Sequence, residues 1–94
     1  MWYVYILECD KRIYYVGLTD DIERRINQHK KRQSFYTKQF SNIELVYKEK
    51  HRSRKDAEKR EVQLKKWSVA KKKALVAGNL SMLRKLSKGP EVVE

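Results

Sequence analysis

Two apolar runs open the chain, Trp2 to Glu8 and Ile13 to Leu18, with the polar stretch Cys9-Asp10-Lys11-Arg12 between them. The first alternates only loosely and is rich in Trp, Tyr, Val and Ile, the composition of a strand buried on both faces. A short polar link to a second aromatic, β-branched run predicts an antiparallel hairpin. Gly17 interrupts the second strand near its end, where a bulge or a close backbone approach is expected. The period then becomes helical. Thr19-Asp20-Asp21 offers N-cap candidates for a helix over residues 21–31, with acids where the helix dipole favours them. Ile22, Arg25, Ile26 and His29 fall at i, i+3, i+4 and i+7 on one face.

The stretch from Lys30 to Phe40 (KKRQSFYTKQF) is basic, aromatic and without clean period. Ile43 to Lys48 alternates Ile43, Leu45, Tyr47 against Glu44, Val46, Lys48 and predicts a third strand. Ser53-Arg54-Lys55-Asp56 resembles a capping box for a helix reaching about Trp67. Ala57, Glu61, Leu64 and Ser68 share its stripe, with Trp67 alongside. Ala70, Ala74, Leu75 and Ala77 mark another helix over residues 69–77, stopped by Gly78. A last short helix carries Leu80, Leu83 and Leu86, and Gly89-Pro90 ends it. The pattern divides into one domain over residues 1–88 and a fraying tail over 89–94.

Polar groups on core-facing positions need a reason. Arg25 and His29 either snorkel at a rim or face a site. Glu61 lies in an apolar stripe, which calls for a partner or a metal, and Arg25 is the candidate ion-pair partner. Phe35, Tyr36 and Phe40 either pack their loop down or stack on bases between basic residues.

Composition narrows the choice. With 94 residues the chain supports one modest core, and ten aromatics exclude a disordered chain. The net charge of +11 points to a polyanion, nucleic acid before an anionic membrane surface. Lys48 to Lys73 alone holds 12 Lys/Arg against 4 acids. The basic loop (Lys30, Lys31, Arg32, Tyr36, Lys38) and this stretch (Arg54, Lys65, Lys66) are the candidate nucleic-acid contacts. No run is long enough to span a membrane, and the N-terminus lacks a signal pattern. Cys9 is the single cysteine, which excludes a disulfide framework and a cysteine-based zinc site and fits a cytoplasmic protein.

Taken in order, Tyr3-Val4-Tyr5, Tyr15-Val16-Gly17 and the helix segment from Asp21 to His29 resemble the GIY-YIG nuclease superfamily. Tyr36-Thr37, Ile43 to Tyr47, Glu61 to Trp67 (EVQLKKW) and Lys73 to Leu80 resemble its small standalone bacterial members, close to the excision-repair nuclease amino-terminal domain. The resemblance covers almost the whole chain. It implies an α+β fold, a three-stranded antiparallel sheet flanked by helices, and divalent-metal-dependent phosphodiester cleavage. Tyr5 and Tyr15 match the two motif tyrosines, Arg25 the family arginine, His29 the helical histidine and Glu61 the metal-binding glutamate. The chain departs from the pattern in two places. Tyr3 stands where the first motif has glycine, and the asparagine of larger members has no sure counterpart beyond Asn79.

On that resemblance Glu61 holds one Mg²⁺ or Mn²⁺ ion, a cation that takes few carboxylates and keeps several waters. Arg25 suits the non-bridging phosphoryl oxygens. Tyr5 is the base by resemblance, with Tyr15 orienting water or phosphate. A reference pKa of about 10 leaves about one tyrosine in a thousand ionised at neutrality, so Arg25 and the metal would have to lower it. His29 is the alternative base. The expectation is a monomeric endonuclease, without small-molecule cofactor, hydrolysing DNA structure-selectively on branched or nicked substrates in repair or recombination. The five residues should then line one concave, basic surface over the sheet. A non-catalytic nucleic-acid-binding module that retains the fold is the alternative, and an adaptor for an acidic protein the third.

Overall fold

The computed structural model describes residues 1–31, 39–78 and 81. Its elements run β1 (Trp2–Cys9), β2 (Ile13–Thr19), α1 (Ile22–Lys30), β3 (Ile43–His51), α2 (Arg54–Lys65) and α3 (Val69–Val76). The β1–β2 hairpin forms because Asp10 and Lys11 both take left-handed backbone angles, φ 51° and 57°. Asp10 also ties the turn to the third strand. Its carboxylate accepts the N–H groups of Ser41 and Asn42 at 3.0 and 2.8 Å, and its own N–H donates to the Asn42 carbonyl at 2.8 Å.

The sheet has the order β2-β1-β3, antiparallel throughout, so β1 is central. Central position explains its sequence. Val4, Tyr5, Ile6, Leu7 and Cys9 are fully buried, alternately against two different cores. On one face Tyr5, Leu7 and Cys9 pack with Ile22 and Ile26 of α1. On the other, Val4 and Ile6 pack with Ala57 and Leu64 of α2, and with Trp67, Leu75 and Val76 from the α3 end.

The strict alternation expected for β3 is broken. Ile6 pairs with Tyr47 and Leu7 with Leu45, so Val46 is an extra residue in a bulge. Ile43 keeps to the α1 side while Val46 and Tyr47 join the α2 core. The strand also runs three residues beyond the predicted end, with His51 opposite Trp2. Glu49 anchors that extension on the α2 side: it accepts from Tyr47 Oη at 2.6 Å and Arg60 Nε at 3.0 Å, and pairs with His51 Nε2 at 2.7 Å.

Two helices begin at predicted caps, Asp21 and Ser53, whereas α3 begins at Ser68, a residue the spacing assigns to the α2 stripe. Asp21, Ser53 and Ser68 each accept a backbone N–H three residues on. Gly78, at φ 70°, ends α3 with its N–H on the Leu75 carbonyl at 3.1 Å. The short helix expected around Leu80, Leu83 and Leu86 and the tail over 89–94 lie outside the described residues. Among the described residues no helix is long and apolar enough to cross a membrane.

Candidate active site

Tyr5 is delivered by the central strand, and its ring does not stay over its own backbone. It leans onto β2 above Gly17, its register partner. A Cβ at Gly17 would lie 2.3 Å from Tyr5 Cζ and Oη, closer than any side chain tolerates. The close approach expected at this glycine is therefore that of the tyrosine itself.

α1 brings two more groups to the same hydroxyl. Thr19, at the end of β2, locks the helix entry by accepting the Asp21 N–H at 3.1 Å and donating to the Asp21 carbonyl at 3.2 Å. Ile22 and Ile26 then bury one helix face, which turns Arg25 and His29 toward the sheet. His29 Nε2 sits 2.9 Å from Tyr5 Oη, and Arg25 Nε donates to that oxygen at 3.3 Å. Tyr15 completes the cluster, its ring edge-on to His29 with centroids 5.4 Å apart and 6.4 Å from that of Tyr5. His29 is wholly buried, so the rim reading fails for it and holds only for the half-buried Arg25. Gln28 was not anticipated; it accepts from Arg25 Nη1 at 3.2 Å and so steadies the guanidinium. Its spacing, three residues from Arg25 on the helix, was the available signal.

Electrostatics here run against one expectation. Burial pushes the Tyr5 phenol up to about 12, outweighing the Arg25 hydrogen bond, while Tyr15 and Glu61 push it the same way. Arg25 alone does not activate this tyrosine. The Tyr5 hydroxyl raises the Arg25 pKa in turn. Burial, helped by the Arg25 charge, lowers His29 to about 4. Tyr5 and His29 are thus both neutral at pH 7.

Glu61 arrives from elsewhere. It belongs to α2, whose Ala57 and Leu64 pack on the other side of the sheet from Ile22 and Ile26 of α1. Its carboxylate still lies near enough to raise the Tyr5 pKa. The expected ion pair with Arg25 is replaced by one with Lys65, Nζ to Oε2 3.3 Å, one helical turn away. Among the described residues no three His, Cys, Asp or Glu side chains gather as a metal cage. A half-buried single carboxylate matches a hydrated Mg²⁺ or Mn²⁺ that takes its remaining oxygens from water and phosphate, and does not match a protein-caged ion.

Of the candidate nucleic-acid contacts, Lys30 and Lys31 are exposed at the end of α1. Arg54 lies 5.1 Å over the Trp2 ring and pairs with Glu58 at 3.2 Å. Lys65 is held by Glu61, and Lys66 is exposed at the α2 C-cap. Arg32, Tyr36 and Lys38 lie outside the described residues.

Tyr5, Tyr15, Arg25 and His29 thus gather on a β2-β1-β3 sheet, with Glu61 on a following helix. Residues 1–74 match the GIY-YIG catalytic domain, and the chain belongs to that family. Its relatives include a UPF0213 protein of Syntrophus aciditrophicus, 42% identical over 79 residues that span 82% of this chain and 91% of that one. Another, from Desulfotalea psychrophila, is 39% identical over 77 residues, 80% of this chain and 70% of the relative. The solution structure of a UPF0213 protein from Bacillus halodurans shares the fold with a TM-score of 0.54 at 33% identity, over 98% of this chain and 92% of its own. These are small standalone proteins, and the family sets a nuclease-type function on nucleic acid with divalent-metal use.

Proposed function

We propose that this protein is a divalent-metal-dependent endonuclease hydrolysing DNA phosphodiester bonds, with Tyr5, Tyr15, Arg25, His29 and Glu61 as its site. The observation that carries the reading is the Tyr5 hydroxyl, buried yet bonded to both Arg25 and His29. A packing tyrosine has no use for a cation and an imidazole on one oxygen. The arginine has only donors, so the phenol oxygen accepts from it. The phenolic proton is then available to His29 Nε2, in the imidazole tautomer protonated at Nδ1.

From this geometry the chemistry follows as a relay. Tyr5 takes the proton of the attacking water as its own passes to His29, so no free phenolate has to form. A phosphodiester seated against Arg25 offsets the cation that helps hold His29 low, and the imidazole becomes a better acceptor when substrate is in place. Arg25, steadied by Gln28, meets the charge that develops on the non-bridging oxygens. Tyr15 orients water or phosphate beside the relay. Glu61 is the side chain that would hold a single Mg²⁺ or Mn²⁺. That ion, when bound, supplies Lewis-acid polarisation of the phosphate and relief of charge on the departing 3′ oxygen. The exposed basic residues supply sequence-independent phosphate contacts, so a preference for branched or nicked DNA in repair or recombination would come from DNA shape.

The test is cleavage of nicked, branched and flapped DNA with Mg²⁺, Mn²⁺ or EDTA, for wild type and Glu61→Gln. Metal-dependent cutting by wild type, and loss of cutting at unchanged or slightly tighter DNA binding in the folded variant, is expected. Equal cutting by the variant would remove Glu61 from the metal role. No cutting with any metal would favour a binding module on the same fold.

A further inference from the structure

Tyr3 stands where the family's first motif has glycine, and nothing in the relay uses it. In the β1–β3 register, Tyr3 lies opposite Lys50 and Tyr5 opposite Lys48, with no irregularity between them. Side chains two apart on a strand share a face. Tyr3, Lys48 and Lys50 therefore occupy the same side of the sheet as Tyr5, while Val4 and Glu49 between them point to the α2 side, where Glu49 bonds Arg60. Tyr3 is half-buried and belongs to neither core cluster, and both lysines are exposed. Among the described residues neither lysine is in an ion pair, in a chain where Lys65, Arg24, Arg54 and Arg60 all are. Lys48 also borders an open groove of about 380 Å³ between α1 and β3, walled by Ile22, Ile26 and Leu45. Among the described residues Glu23 is the one acid on that wall.

We propose that Tyr3, Lys48 and Lys50 form a nucleotide subsite beside Tyr5, in which a base of the cleaved strand stacks on Tyr3 and its phosphates meet the two lysines. The inference rests on the nucleic-acid reading of the neighbouring site. Tyr3 and Tyr5 are separated by about 7 Å of strand, so a nucleotide on Tyr3 adjoins the phosphate that faces Arg25. An aromatic face flanked by cations is the common arrangement for holding a base without reading its edge. A duplex fills such a subsite only by releasing a base from its stack. The substrate class that fits is accordingly DNA with an unpaired nucleotide next to the cut, as at a flap or branch. The tyrosine in the glycine position thus adds a contact to the site as well as bulk.

The experiment uses full-length protein in EDTA and oligonucleotides carrying 2-aminopurine at successive positions, a base whose emission falls on stacking. Wild type should quench one position next to the cleavage site, and Tyr3→Leu should abolish that quench and weaken binding about tenfold. Lys48→Gln and Lys50→Gln, both at exposed positions, should each flatten the slope of log affinity against log salt by about 0.7. Thermal melts identify a Tyr3 variant that fails to fold, and the lysine variants then decide. Wild type that cuts DNA, with quench and salt slope unchanged in the variants, would overturn the subsite and leave the nuclease reading standing. Tyr3-dependent quenching without cleavage under any metal would support the subsite while removing the nuclease. No binding of any oligonucleotide would overturn both.

Discussion

Tyr5 and Gly17 form one unit at the residue scale. The ring occupies the volume a Cβ would need, so Gly17→Ala must displace the hydroxyl from His29 and Arg25. We expect cleavage to fall about a hundredfold or more, as when an acid–base group is lost, with a stability cost of about 1–3 kcal/mol for overpacking. Full activity in that variant would separate the hydroxyl from catalysis. His29 makes a second prediction. Its folded pKa of about 4 lies below the ordinary 6.5, so the unfolded chain takes up the proton first as pH falls. Its contribution is therefore fully present above about pH 6.5 and is lost toward pH 4, by about 2–3 kcal/mol. Urea unfolding at pH 7 and pH 4.5 should show a larger loss for wild type than for His29→Gln; parallel losses would contradict the burial argument. The inner-face placement of Arg25 and His29 was legible from helical spacing. Their effect on Tyr5 was not, because the depth of burial that opposes Arg25 is a property of the assembled layers.

The elements explain how a glutamate from the far side of the sheet keeps its place. Arg60, the residue before Glu61, bonds Glu49 at 3.0 Å and Gln63 at 2.8 Å and lies 5.2 Å over the Trp67 ring. That pair fixes the rotation of α2 against β3. Arg60→Met keeps much of the packing on Trp67 but leaves Glu49 with Tyr47 and His51 alone. We expect a loss of about 1–3 kcal/mol and weaker metal-dependent activity, with DNA affinity less affected because one cation among many is removed. Calorimetry and a metal titration check it, and a variant as stable and active as wild type would refute the coupling. Strands, hairpin and the caps of α1 and α2 were legible because each rests on local chemistry. The Val46 bulge and the three extra residues of β3 were not. Glu49-Lys50-His51 is polar in sequence and becomes strand only by pairing with Trp2, Tyr3 and Val4. The partner of Glu61 was misjudged for a related reason: Arg25 and Lys65 are both plausible cations, and only the layering of helices decides between them.

For the molecule as a whole, the net charge of +11 is the dominant long-range property. Binding to duplex DNA should weaken steeply with salt, with a slope of about 0.9 per neutralised phosphate on a log–log plot. An affinity that barely moved between low and physiological salt would point to a partner other than a polyanion. Charge speeds and tightens encounter without choosing a substrate, so selectivity has to come from the shape of the site.

Tyr5 and Glu61 are far apart in sequence and reach the site from opposite sides of the sheet. During synthesis the hairpin and α1 can close around Tyr5 and His29 while α2 has yet to leave the ribosome. On the proposed reading, such a nascent chain carries the proton relay but neither the carboxylate for the metal nor most of the Lys48 to Lys73 stretch, where the basic charge is concentrated. It neither attracts nucleic acid strongly nor cuts it. Cutting competence would appear in the finished protein only when the last layer docks, which shields the surrounding RNA and DNA from a half-made nuclease.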